Sequence, residues 1–155
     1  MSLILIVDDN PDICEFLTKS LMLAGYQTMA AQSAQQALHL IDQVHPNVLL
    51  LDLLMTPITG SGLLELLTAH KKREHMRVIL MSAHVRVAEM AKTLHADGYL
   101  LKPFHLKQLY GLIKQQLGEQ DVHLKDDLGS PSSTRSAPGR PQASLTFDTV
   151  GKPFP

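Results

Sequence analysis

Four consecutive apolar residues, Val48-Leu49-Leu50-Leu51, run directly into a lone carboxylate, Asp52. A strand with one wet face alternates apolar and polar residues. An unbroken apolar run reads instead as a parallel strand buried on both faces, here with one charge at its C-terminal end. In open α/β sheets, ligands gather at that edge. A lone Asp after a strand is also an ordinary turn former or helix cap, so its meaning depends on what the other strands bring beside it.

The rest of the chain supplies four more such strands. Leu3–Val7 is apolar throughout and reads as central. Asn10 suits an N-cap and Pro11 the first helical position, with Ile13, Phe16, Leu17, Leu21 and Ala24 at helical spacing before Gly25. Tyr26–Ala30 is a short second strand. Ser33-Ala34-Gln35-Gln36 has the capping-box pattern ahead of Ala37, Leu38, Ile41 and Val44, and His45-Pro46-Asn47 ends that helix. After the Asp52 strand, Gly60-Ser61-Gly62 opens a helix carrying Leu63, Leu66 and Leu67. Arg77–Ala83 and Tyr99–Leu101 are the fourth and fifth strands, followed by helices over Val87–Leu94 and Leu106–Leu117.

Strand and helix therefore alternate five times. Right-handed βαβ crossovers then give a doubly wound, five-stranded parallel sheet with five helices on its two faces. The common strand order for five units, that of flavodoxin, is 2-1-3-4-5. Residues 1–118 are expected to form this domain. Residues 119–155 hold Pro, Ser and Gly without an apolar period and are expected to be a mobile tail. The run Lys71–His75 reads as a solvated turn with cations near a helix C-terminus, and Cys14 as a small buried filler.

Composition narrows the class. The net charge is −1 with scattered cations, which argues against a nucleic-acid surface, and the one cysteine favours a reducing compartment. The N-terminal apolar run ends at Asp8 and is too short for a signal peptide or membrane span. A soluble cytoplasmic protein is expected.

In the 2-1-3-4-5 order four strand ends converge. They carry Asp8 and Asp9, Asp52, Ser82, and Lys102. Clustered carboxylates repel one another, and a hard divalent cation such as Mg²⁺ relieves that repulsion. Mg²⁺ commonly shares its shell with a phosphate oxygen, and a carboxylate serves as a phosphoryl acceptor. Lys102 and the Ser82 hydroxyl suit phosphoryl oxygens, as a point charge and a hydrogen-bond donor. Each residue alone is weak evidence; the set, at four strand ends in that order, forms a strong joint signal.

These stretches, Ile6-Val7-Asp8-Asp9-Asn10, Leu49-Leu50-Leu51-Asp52-Leu53, Met81-Ser82-Ala83 and Gly98-Tyr99-Leu100-Leu101-Lys102-Pro103-Phe104, resemble the CheY-like receiver domain of two-component response regulators. The resemblance spans about residues 3–117. It implies that a histidine kinase or histidine phosphotransfer protein passes a phosphoryl group to Asp52. It further implies Mg²⁺ held by Asp8, Asp9, Asp52 and the Leu54 backbone carbonyl, phosphoryl contacts from Ser82 and Lys102, and a switch pairing Ser82 with Tyr99. The family places Pro four residues after the acceptor; here Thr56 stands there and Pro57 comes one later, while Gly60 keeps its place. The turn over Met55–Thr59 must therefore be built differently. Leu54 and His84 would flank the path of an attacking water and modulate the lifetime of the phosphorylated state.

Three functions compete. The first is a phosphorelay switch whose only chemistry is its own phosphorylation and dephosphorylation, reshaping a face that binds an output protein or domain. The second is a Mg²⁺-dependent phosphohydrolase with Asp52 as nucleophile; such enzymes commonly carry a second Asp two residues on, where this chain has Leu54. The third is a degenerate receiver kept as a scaffold, which the complete set of site residues opposes. The chain is expected to be a monomer or weak homodimer, with no membrane and no direct nucleic-acid partner. Both a stand-alone receiver and a piece of a longer regulator fit the sequence.

Overall fold

The structure is a computed structural model, described here for residues 1–119. The tail expected over residues 119–155 lies outside the described residues apart from Glu119. The elements are β1 (Leu3–Val7), α1 (Pro11–Leu23), β2 (Gln27–Ala31), α2 (Ala34–Val44), β3 (Val48–Asp52), α3 (Gly60–Ala69), β4 (Arg77–Ser82), α4 (Val87–Thr93), β5 (Gly98–Leu101) and α5 (Leu106–Leu117). All pairings are parallel and the strand order is β2-β1-β3-β4-β5, as expected.

The unbroken apolar strands do what their composition requires. Every residue of β3 is buried. Because successive side chains point to opposite faces, the sheet feeds two cores. Leu5, Val7, Leu49, Leu51, Val78 and Leu80 meet α2, α3 and α4 through Ile41, Leu63, Leu67 and Ala91. Ile4, Ile6, Val48, Leu50, Ile79 and Met81 meet α1 and α5 through Leu17, Leu21, Leu109 and Ile113. Burying one such Leu or Ile contributes about 1.5–3 kcal/mol. No helix of the described residues is long and apolar enough to cross a membrane.

Local caps fix where the helices begin. Asn10 Oδ1 accepts from the N–H groups of Asp12 and Ile13, with Pro11 at the first position. Ser33 Oγ accepts from Gln36 N–H as the capping-box pattern predicts, but Gln36 Oε1 reaches back to Gln32 N–H rather than to Ser33. The second strand starts one residue later than its sequence suggests. Tyr26 N–H donates to Leu21 O and closes α1, so Tyr26 belongs to that turn. The Lys71–His75 run also differs from a simple solvated turn. Lys72 pairs with Asp42, and the Arg73 guanidinium donates to Leu94 O and His95 O at the end of another helix, α4.

Candidate functional site

Strand register brings the chemistry together. Val7 lies opposite Leu51, Asp52 opposite Met81, and Ser82 opposite Leu101. The residues that follow each strand therefore leave the sheet side by side. Asp8 N–H donates to Ala31 O, Leu53 N–H to Met81 O, and Lys102 N–H to Ser82 O. The backbone ladder thus continues one residue past the strands and holds the polar side chains over the C-terminal edge.

One carboxylate oxygen from each of Asp8, Asp9 and Asp52 lies within 4.8 Å of the others. Asp8 is 1% exposed and Asp52 6%, whereas Asp9 is open to solvent. Lys102 Nζ donates to Asp8 Oδ2 at 2.8 Å and stands 3.7 Å from Asp52 Oδ1. Asp52 Oδ1 also accepts from Leu54 N–H at 3.2 Å, and Asp8 Oδ1 from Asn10 N–H at 2.9 Å. Burial pushes the Asp52 carboxyl above its ordinary range. The Leu54 N–H and Lys102 pull it down, while Asp8 and Asp9 push it up. One lysine does not neutralise three carboxylates. An all-oxygen donor set with surplus negative charge and one open, solvated member suits a hard divalent cation that keeps some of its waters.

Ser82 is buried, and its Oγ accepts from His84 N–H at 3.1 Å. Its position beside Asp52 follows from adjacent register in β3 and β4. His84 is exposed, its ring turned to the backbone: Nδ1 accepts from Arg86 N–H at 3.1 Å. Tyr99 is 47% exposed on β5 and points away from the core in this state. Cys14 is the buried filler its pattern suggests. Its Sγ–H donates to Asp8 O at 3.2 Å, and burial with the nearby Asp8 raises its pKa, so it backs the acidic pair without being a reactive thiol.

The turn after Asp52 is built as an alternation. Leu53 and Met55 pack into the core, and Leu54 between them is 64% exposed. The Thr56–Pro57 peptide is cis, as is Lys102–Pro103. Thr59 Oγ1 then caps α3 by accepting from Gly62 N–H. Sequence reasoning missed that cap, although a Thr three residues before Gly62 carries the signal. It also missed why Gly60 is glycine. Gly60 N–H donates to Leu53 O, and a Cβ at this position would sit 2.3 Å from Asp52 O.

A parallel 2-1-3-4-5 sheet with this acidic cluster, hydroxyl and lysine at its edge has close relatives. A profile of the response regulator receiver domain matches residues 4–114. The chain belongs to the response regulator receiver domain family. It is 34% identical over 121 residues to the regulatory protein AtoC of Escherichia coli, covering 77% of this chain and 26% of that protein. It is 32% identical over 120 residues to the probable transcriptional regulator ycf27 of Porphyridium aerugineum, covering 76% of this chain and 49% of that one. This receiver chain thus spans a quarter to a half of those two relatives. Among solved structures, the response regulator TrrA of Thermotoga maritima, in complex with Mg²⁺ and beryllofluoride, aligns with a TM-score of 0.67 at 28% identity, covering 75% of this chain and 99% of that one. A putative response regulator of Chloroflexus aurantiacus aligns at 0.70 and 28% identity, covering 76% and 98%. Residues 4–114 form a receiver domain of the kind found in two-component systems, with the CheY-like fold that its motifs imply.

Proposed function

We propose that Asp52 is the phosphoacceptor of a phosphorelay, charged by a sensor histidine kinase or a histidine phosphotransfer protein with Mg²⁺ bound at Asp8, Asp9, Asp52 and the Leu54 carbonyl. The observation that carries this reading is the buried Asp52 carboxylate, which shares one edge with two further carboxylates and the Lys102 ammonium. The cation supplies charge neutralisation where an anionic donor must approach an anionic acceptor. Asp52 is the nucleophile. Its oxygen forms a bond to phosphorus, and the bond from phosphorus to the donor's imidazole nitrogen breaks. Lys102, 3.7 Å from Asp52 Oδ1, would contact one phosphoryl oxygen, and the Ser82 hydroxyl would donate to another. Tyr99 follows Ser82 inward, and the α4–β5–α5 face changes for an output protein or an output domain on the same polypeptide.

An apolar hollow of about 400 Å³ beside Lys102, lined by Ile13, Phe16, Leu17, Pro103 and Phe104, offers the phosphodonor a place to rest against α1. The reading places the protein in the cytoplasm, which the reduced Cys14 suits, as a monomer or weak homodimer without direct nucleic-acid or membrane contact. It assigns no turnover of an external substrate: the position two residues after the nucleophile is Leu54, which cannot carry a proton.

Incubation with acetyl phosphate and Mg²⁺ is expected to add one phosphoryl group by intact mass, and Asp52→Ala to add none. Label on Asp52→Ala at the wild-type level, or steady phosphate release from a phosphate ester, would end the proposal. The exposed Leu54 side chain, two residues from the acceptor, excludes or misorients attacking water. Leu54→Asn should shorten the phosphoaspartate lifetime several-fold by admitting a hydrogen-bonded water. Equal or slower decay, followed by intact mass over time, removes that role.

A further inference from the structure

The helix that must respond to Ser82 has an unusual start. α4 is seven residues long, and its N-cap position is Arg86, whose side chain makes no capping bond. The first N–H groups of a helix have no partners within it and must find them elsewhere. Here His84 provides two of them. Its ring Nδ1 accepts from Arg86 N–H at 3.1 Å, and its carbonyl accepts from Val87 N–H at 3.0 Å. Its own N–H donates to Ser82 Oγ at 3.1 Å. One residue therefore joins the switch hydroxyl to the first turn of α4 through three hydrogen bonds. Val85, bridged by the ring bond, is 84% exposed and is not part of either core. The far end of α4 is held separately, by the Arg73 guanidinium on Leu94 O and His95 O.

We propose that the His84 imidazole is a positioning group, a catch that holds the β4–α4 loop in its resting arrangement and opens when Ser82 is drawn toward a phosphoryl group. The ring bond spans two residues, so it exists only while residues 84–86 keep this turn. Moving Ser82 Oγ pulls on the His84 N–H and reopens the turn, and Arg86 N–H loses its acceptor. The bond favours the resting state, and by linkage it opposes any ligand that favours the other. This inference rests on the phosphoacceptor reading of Asp52.

The test uses Mg²⁺ with beryllofluoride as the phosphoryl mimic on the full chain, read by amide resonances of Arg86 and Val87. His84→Ala removes only the ring acceptor at an exposed position. Its apparent dissociation constant for beryllofluoride should fall about fivefold, the size of one lost cap. Without the mimic, its Arg86 and Val87 resonances should already lie partway toward the saturated wild-type positions. His84→Asn, whose side-chain oxygen can accept from the same N–H two residues on, should restore wild-type affinity and spectrum. Unchanged or weaker binding by His84→Ala, with a wild type that responds normally, overturns the catch alone. A wild type that ignores beryllofluoride overturns the catch together with the phosphoacceptor reading.

Discussion

Gly60→Ala is expected to destabilise the domain by about 3 kcal/mol and to disturb Asp52 as it does so. A Cβ at Gly60 would lie 2.3 Å from Asp52 O and 2.8 Å from Leu53 Cα, both backbone atoms. Neither atom is free to retreat. Asp52 ends the central strand β3, flanked by β1 and β4, and Leu53 N–H is bonded to Met81 O. The alternative is for the start of α3 to lift away. That breaks the Gly60 N–H bond to Leu53 O and pulls Leu63 and Leu67 from the core they fill. Gly62→Ala is the matched control. Its Cβ would meet Ile58 Cγ2 at 3.3 Å and Thr59 Oγ1 at 3.4 Å, side-chain atoms on an exposed turn, and the change should cost under 1 kcal/mol. Urea unfolding with and without Mg²⁺ reads both effects. Gly60→Ala should show a lower midpoint and a smaller Mg²⁺-induced gain, whereas Gly62→Ala should behave as wild type. Equal midpoints for the two variants would refute the close-approach argument.

That contrast shows what can be read from residues alone and what cannot. Burial on both faces announces itself in the composition of β1, β3 and β4, so the central strands and the two cores follow from pattern, while the strand order agrees with the common arrangement of five such units. The edge residues were legible for the same reason: Asp8, Asp9, Asp52, Ser82 and Lys102 each sit where an apolar run stops. Features that depend on backbone distance were not. Gly60 and Gly62 look alike in sequence, and only the approach of the α3 start to the Asp52 carbonyl separates them. Arg73 reads as one more surface cation, because its acceptors, Leu94 O and His95 O, belong to a helix more than twenty residues away. His84 stands out in the sequence for its place two residues after Ser82, but its ring bond to Arg86 N–H depends on a turn that composition does not specify. The turn over Met55–Thr59 shows the same limit. A displaced proline signalled that it must differ from the family, yet the burial of Met55 beside an exposed Leu54 is a tertiary outcome.

Asp52→Asn is expected to make the metal-free protein more stable at neutral pH, by about 1 kcal/mol, or roughly 4–6 °C in Tm. The Asp52 carboxylate is buried, and burial is the largest influence on its protonation, followed by the opposing Leu54 N–H and the repulsion from Asp8. Its pKa in the folded protein is therefore raised above the ordinary 3.8. The sign follows from proton linkage. Between the unfolded and folded values, the folded state holds the extra proton, so stability falls as pH rises through that window. Above it, the charged carboxylate remains a constant cost of folding. Asparagine keeps the shape, and its side-chain oxygen still accepts from Leu54 N–H, without the charge. The gap between variant and wild type should accordingly be widest at neutral pH and close as acid passes from the raised folded value toward the ordinary one. Mg²⁺ should close it from the other direction. A cation bound by the three carboxylates stabilises the wild type by mass action and the variant less, because one charged ligand is gone. Thermal unfolding across pH, with and without Mg²⁺, decides the matter. A variant less stable than wild type in EDTA at pH 7 would mean that Lys102 and the Leu54 N–H outweigh desolvation, and that Asp52 is a settled ion pair rather than a charge suited to a metal.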